Sequence, residues 1–317
     1  MIYPWQQHLW DEVMRCWQQQ RWPHASLFYG AMGLGKHAFI QQLAQTLLCE
    51  SNQSQPCHHC QACHLFEAKT HPDFNWIQPE ENSKTIKIEV IRQLMTTALL
   101  TPRYGRYQII VLAPAEALTH AAANALLKAL EEPVSQTVFF LLSQQPQQLP
   151  VTVRSRCQSW SFDRCDDAKK KNWLKKELNL DNNKIETLLD LYAGPLLAKA
   201  HWTTQQTHYQ QVFNQWLATL QGQQDVVTTA TTWSALDLSQ LFSWLYHWVT
   251  ALIRHQAYPI NNAAIQPLID WARPISPQDL FKLLDCIVQA RQHFTLNQLK
   301  PQSCLEAILL TGLSLKK

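Results

Sequence analysis

Residues 26–40 read Ser-Leu-Phe-Tyr-Gly-Ala-Met-Gly-Leu-Gly-Lys-His-Ala-Phe-Ile, and this stretch decides the fold. Ser26 to Tyr29 is a short apolar run of the kind that forms a buried strand, and the glycines at 30, 33 and 35 break it. From Ala38 to Cys49 the apolar residues Ile40, Leu43 and Leu47 recur at helical spacing. The order is therefore strand, glycine-rich loop, helix. Gly30 to Lys36 matches the phosphate-loop pattern GxxxxGK. Glycines there let backbone N–H groups curl around phosphate oxygens, the helix N-terminus favours an anion, and the lysine ammonium reaches the terminal phosphates. The whole chain has only 7 glycines, so placing three of them within six positions marks the loop as a built feature.

The eighth position of the pattern departs. A Ser or Thr hydroxyl there normally holds Mg²⁺, whereas this chain has His37, whose ring cannot make that contact. A phosphate-loop ATPase also needs a carboxylate at the end of a later strand, to hold Mg²⁺ and orient water. The apolar run Ile109 to Leu112 is such a strand, but Ala113 and Pro114 follow it, and Glu116 is placed to cap the next helix. Both losses predict that the chain does not hydrolyse ATP and needs no catalytic Mg²⁺. They leave open whether Gly30, Gly33, Gly35 and Lys36 still hold ATP or ADP, or form a vestigial loop that only keeps its shape.

Outward from the loop, Trp5 to Gln19 predicts an amphipathic helix, and further strands are expected at 73–77, 109–112 and 138–142. Helices at 88–98 and 121–132 separate them, the second ended by Pro133. Strands alternating with helices imply βαβ units and a mostly parallel sheet over residues 1–160. Past residue 160 the patterns are helical. Residues 161–204 read as a small helical unit, in which Lys169, Lys170, Lys171, Lys175 and Lys176 form a solvated face. Residues 205–317 read as a larger all-helical domain, with Leu241, Leu245, Trp248 and Leu252 on one stripe. Loops are expected at 221–225 and 259–262.

Of 9 cysteines, Cys49, Cys57, Cys60 and Cys63 cluster within fifteen positions. No secretory pattern opens the chain, so cysteines this dense read as metal ligands rather than disulfides. Four thiolates select zinc over hard cations and leave no open coordination position, which makes the expected site structural. His58, His59 and His64 are alternative ligands, and an iron–sulfur cluster is the competing occupant. Cys16, Cys157, Cys165, Cys286 and Cys304 have no such company.

Composition sets the outer limits. A hydrophobic share of 46% with 16% charged residues excludes a solvated disordered chain, and a net charge of +3 is too mild for a dedicated nucleic-acid binder. No run of 18 apolar residues exists, and the expected location is the cytosol.

The segment Ala122-Ala123-Asn124-Ala125-Leu126-Leu127-Lys128-Ala129-Leu130-Glu131-Glu132-Pro133, followed by Ser155-Arg156-Cys157, comes after the glycine loop and the cysteine cluster. In that order these motifs resemble the bacterial clamp-loader subunits of DNA polymerase III, members of the AAA+ family. The likeness covers the first 160 residues, and the helical remainder fits in length and pattern, including Asn297 to Leu313. The losses at 37 and after Leu112 set this chain apart from the family's motor subunits. The resemblance implies an AAA+ domain with the cysteine module inserted, a helical lid and a C-terminal helical collar. The collar would join a hetero-oligomeric ring with gamma or tau motor subunits and a delta subunit, and the ring would load a sliding clamp on primed DNA. It also implies that Arg156 is an arginine finger reaching the ATP site of a neighbouring motor subunit. Ser143 falls where the family places a sensor hydroxyl. The lid's sensor arginine would fall near Leu197 or Ala198, with Lys199 the nearest basic residue. Two other readings stand beside this one: a working clamp-loader ATPase, and a nucleic-acid reader built on the zinc module.

Overall fold

Strand β1 (Ala25–Tyr29) is an interior strand of the sheet, with its first four side chains buried. In the computed structural model the described residues are all except 1, 20, 52, 81–82, 99–100, 105, 132–135, 165, 193, 259–264, 296–299 and 316–317. The expected helix stop at Pro133, the loop at 259–262 and the bystander Cys165 lie outside the described residues. Strands β2 (Phe74–Ile77), β3 (Gln108–Leu112), β4 (Thr137–Ser143) and β5 (Gln158–Ser161) join β1 in one sheet of order β2-β3-β4-β1-β5. Every pairing is parallel: Leu27 lies opposite Leu141 in β4 and Ser159 in β5, and Ile110 opposite Phe139. The expected parallel sheet is thus present. β5, which the sequence reading did not include, adds an edge.

Alternation along the strands builds two cores. Phe28, Phe140, Leu142, Ile109 and Val111 face α1 (Gln7–Gln18) and α2 (Lys36–Leu48). Leu27, Phe139, Leu141, Ile110 and Leu112 face the opposite way, onto α4 (Ile88–Ala98), α5 (His120–Glu131) and α6 (Val151–Arg154). Between α2 and β2 the short helix α3 (Gln61–Glu67) carries the last of the clustered cysteines, Cys63. Burial on both faces explains why β3 and β4 read as unbroken apolar runs.

The chain divides into two compact units, Met1–Trp173 with Ala193–Leu197, and Leu174–Tyr192 with Ala198–Lys317. Helix α7 (Asp167–Leu178) begins in the first and ends in the second. The second holds α8 (Asn182–Leu191), most of α9 (Pro195–Leu220), α10 (Val226–Trp233), α11 (Leu238–Ala257), α12 (Gln266–Ala272), α13 (Pro277–Thr295) and α14 (Pro301–Ser314). Helix α9 runs unbroken through residues 204 and 205. The stripe Leu241, Leu245, Trp248 and Leu252 is buried as its spacing predicts, and Trp248 stacks on Trp216 with ring centroids 5.2 Å apart. Asp181, Asp225 and Asp237 each accept a backbone N–H at the start of α8, α10 and α11. No helix among the described residues is long and apolar enough to cross a membrane.

Candidate functional site

The glycine loop leaves β1 at the carboxyl edge of the sheet, where parallel α/β folds place their ligands. Gly33 (φ 80°) and Gly35 (φ 84°) take the left-handed conformation that lets the loop turn into α2, with Gly35 at the N-cap. So far the loop has the form its sequence predicts. Several of its polar groups, however, already have partners within the protein. Lys36 is buried, and its Nζ donates to the carbonyls of Gly30 at 2.6 Å and Ala31 at 2.8 Å. Burial holds the Lys36 pKa below the ordinary lysine value, against the opposing pull of the Asp163 and Glu116 carboxylates. The Ala31 N–H donates to Asp163 Oδ1 at 3.1 Å. The Leu34 carbonyl accepts from Trp5 Nε1 at 3.1 Å and from Gln6 Nε2 at 2.8 Å. Across the mouth, the Leu196 N–H donates to the Gly33 carbonyl at 3.1 Å. There the backbones touch so closely that a Cβ on Gly33 would lie 2.6 Å from Leu197 Cβ.

His37 and the segment after β3 stand where a phosphate-loop enzyme holds magnesium. His37 packs on Trp76 with ring centroids 5.2 Å apart, and Ala113 and Pro114 follow the end of β3 at Leu112. Glu116 does not cap its own turn: its Oε1 accepts the Gln144 N–H at 2.9 Å, tying the ends of β3 and β4 together. Ser143 is buried at the end of β4, where its Oγ accepts from the Gln145 N–H at 3.1 Å. Lys199 pairs with Glu177. Trp5, Gln6, Asp163 and Leu196 are functional in closing the loop, and sequence reasoning missed them. Only Asp163, two residues past β5, carried a local signal, as an acidic residue at the sheet's carboxyl edge.

Arg156 follows the short helix α6. Its Nη1 donates to the Thr152 carbonyl at 3.0 Å, and its Nη2 meets Glu131 Oε1 at 2.5 Å. The Arg156 side chain is about one-third exposed.

The cysteines behave differently from the loop. Cys49 at the end of α2, Cys57 and Cys60 in the connection and Cys63 in α3 bring their sulfurs within 4.8 Å of one another. Cys49 and Cys60 sulfurs are 3.9 Å apart and those of Cys57 and Cys63 are 4.0 Å apart. A tetrahedral ion with metal–sulfur bonds of ~2.3 Å sets sulfurs ~3.8 Å apart, close to the spacing of these two pairs. The backbone N–H of Cys57 donates to Cys49 Sγ, that of Cys60 to Cys57 Sγ and that of Cys63 to Cys60 Sγ, at 3.3 to 3.4 Å. Burial pushes the Cys63 thiol pKa up. At Cys49 burial pushes the thiol pKa up, but hydrogen bonds from the Ser51 hydroxyl and from backbone N–H groups outweigh it and bring the value down to about 6. His58 and His59 are turned elsewhere, with Nδ1 donating to Glu67 and to the Cys57 carbonyl at 2.7 Å each. Among the described residues the four cysteines are the one group arranged to hold a metal ion, and no histidine belongs to it.

Comparison with known proteins gives consistent relatives. A family model described as DNA polymerase III, delta subunit, matches residues 5–166. The DNA polymerase III subunit delta' of Pseudomonas aeruginosa is 34% identical over 99% of this chain and 98% of its own length. That of Escherichia coli K12 is 30% identical over 92% of this chain and 88% of its own. A crystal structure of a DNA polymerase III gamma subunit-related protein from Thermotoga maritima is 14% identical, with a TM-score of 0.44, covering 99% of this chain and all of that one.

Proposed function

The chain belongs to the DNA polymerase III delta' family, and on that premise we propose that it is a non-hydrolysing ring component of a bacterial clamp loader. In this reading it assembles in the cytoplasm with gamma or tau motor subunits and a delta subunit, and the complex places a sliding clamp on primed DNA. Residues 1–160 serve as the AAA+ domain, 161–204 as the lid and 205–317 as the collar. The observation that carries the reading is the closed loop. Lys36, which in a working site would meet the terminal phosphates, is buried on the carbonyls of Gly30 and Ala31, and Gly33 is sealed against Leu196 and Leu197. With no hydroxyl at 37 and no carboxylate directly after β3, such a loop braces the sheet edge instead of binding ATP.

Cys49, Cys57, Cys60 and Cys63 would hold Zn²⁺. With four protein ligands the ion has no open position, so it would pin the connection between α2 and α3 and take no part in chemistry.

Arg156 is the chain's contribution to catalysis. A guanidinium delivered to the neighbouring motor's ATP site stabilises charge developing on the transferred phosphoryl group and commits nothing in cis. Two measurements test the proposal. The isolated chain should show no saturable ATP binding by calorimetry, and Mg²⁺-dependent hydrolysis abolished by Lys36→Ala would overturn it. In a reconstituted loader, Arg156→Ala should leave assembly intact and slow hydrolysis at the adjoining site by about 10³. Unchanged turnover and clamp loading would remove Arg156 from that role.

A further inference from the structure

The acceptor that Arg156 holds is itself informative. A guanidinium grips a phosphate with paired N–H groups, and its two terminal nitrogens are the natural fork for that contact. Here both are turned onto the chain's own oxygens, Nη1 on the Thr152 carbonyl at 3.0 Å and Nη2 on Glu131 Oε1 at 2.5 Å. Glu131 is the last residue of α5. A helix C-terminus carries partial negative charge, so a carboxylate there is poorly placed unless a cation lies beside it, and Arg156 is that cation. Both side chains are between a third and a half exposed, so solvent and an incoming ligand reach the pair.

We propose that Glu131 is a holster for Arg156: it occupies the phosphate-gripping end of the guanidinium and is displaced when a neighbouring subunit presents the phosphate of its bound nucleotide. The inference rests on the finger reading and adds its regulation. No bond is made or broken. Arg156 exchanges one anionic oxygen for another, and the phosphate, carrying more charge than a single carboxylate, wins once the two subunits are close. An exposed ion pair is weak, so the holster lowers the fraction of ready fingers without preventing the exchange.

In the loader reconstituted with the motor and delta subunits, Glu131→Gln keeps the side chain's shape and removes its charge. Hydrolysis at the adjoining site without primed DNA should rise about two- to fivefold, and the DNA-stimulated rate should rise less. The increase should disappear when Glu131→Gln is combined with Arg156→Ala. In the isolated ¹⁵N-labelled chain, rotation of the Arg156 NηH₂ groups should be slow in the wild type and fast in Glu131→Gln. An unchanged or reduced DNA-free rate in Glu131→Gln, while Arg156→Ala is still impaired, overturns the holster and leaves the finger standing. Freely rotating NηH₂ groups in the wild type do the same. An Arg156→Ala loader with undiminished turnover overturns the finger instead.

Discussion

The glycine loop and the cysteine cluster lie at opposite ends of α2, and both read from the sequence as ligand sites. They end in opposite states. The loop's lysine, its Ala31 N–H and its Gly33 and Leu34 carbonyls all find partners within the protein. The cluster's four sulfurs instead converge on one another, and the N–H groups around them donate inward to sulfur. The loop's lysine and several of its carbonyls are engaged inside the chain, whereas the cluster's sulfurs face one another.

The comparison breaks most easily at the cluster. Cys63→Ser should lower bound zinc from one ion per chain to none by elemental analysis. It should also cost several kcal/mol in denaturant unfolding, since structural zinc contributes ~10–16 kcal/mol in small zinc domains. A serine variant that keeps its zinc and its midpoint would put the cluster in the same class as the loop. Next in size is Gly33→Ala. The new Cβ would meet Leu197 at 2.6 Å on a residue with left-handed φ, and a loss of about 2–4 kcal/mol is expected. If the loop stood open, only the conformational part, about 1 kcal/mol, would be measured. Gln6→Ala removes a fully buried amide that bonds the Leu34 carbonyl. A cost of about 1–3 kcal/mol is expected, with no gain of ATP binding by calorimetry. A variant that then bound ATP would show that the closure alone kept the site empty. The smallest effect belongs to Glu67→Gln. The His58 contact of Glu67 lies on the exposed rim of the cysteine module, so zinc content and melting temperature should stay at their wild-type values. A loss of zinc would make that rim part of the metal site.

Much of this was legible beforehand. The strand, loop and helix around Gly30 followed from spacing, the buried runs at β3 and β4 from their unbroken apolar residues, and the close approach of the four cysteines from their density along the chain. What could not be read depended on distance along the chain. Leu196 reaches Gly33 from more than 160 positions away, and nothing in Gly194-Pro195-Leu196 announces a plug. β5 escaped because only Trp160 of its four residues is buried, and its exposed Gln158 and Ser159 look like loop. Glu116 resembled a helix cap by position, but its oxygen instead goes to Gln144. The partner of Arg156 was hidden for the same reason, since Glu131 lies on a different element and pairs through space alone.

Gly33 and Gly194 meet backbone to backbone: a Cβ on Gly194 would lie 2.4 Å from the Gly33 carbonyl carbon and 2.6 Å from the Met32 oxygen. Most tight contacts in a protein can be relieved by trimming a side chain on the other partner. Here neither partner has one to trim, so no second substitution at the facing position can compensate for a first. Gly33 is thereby held by packing as well as by its left-handed φ, whether or not a phosphate ever enters the loop.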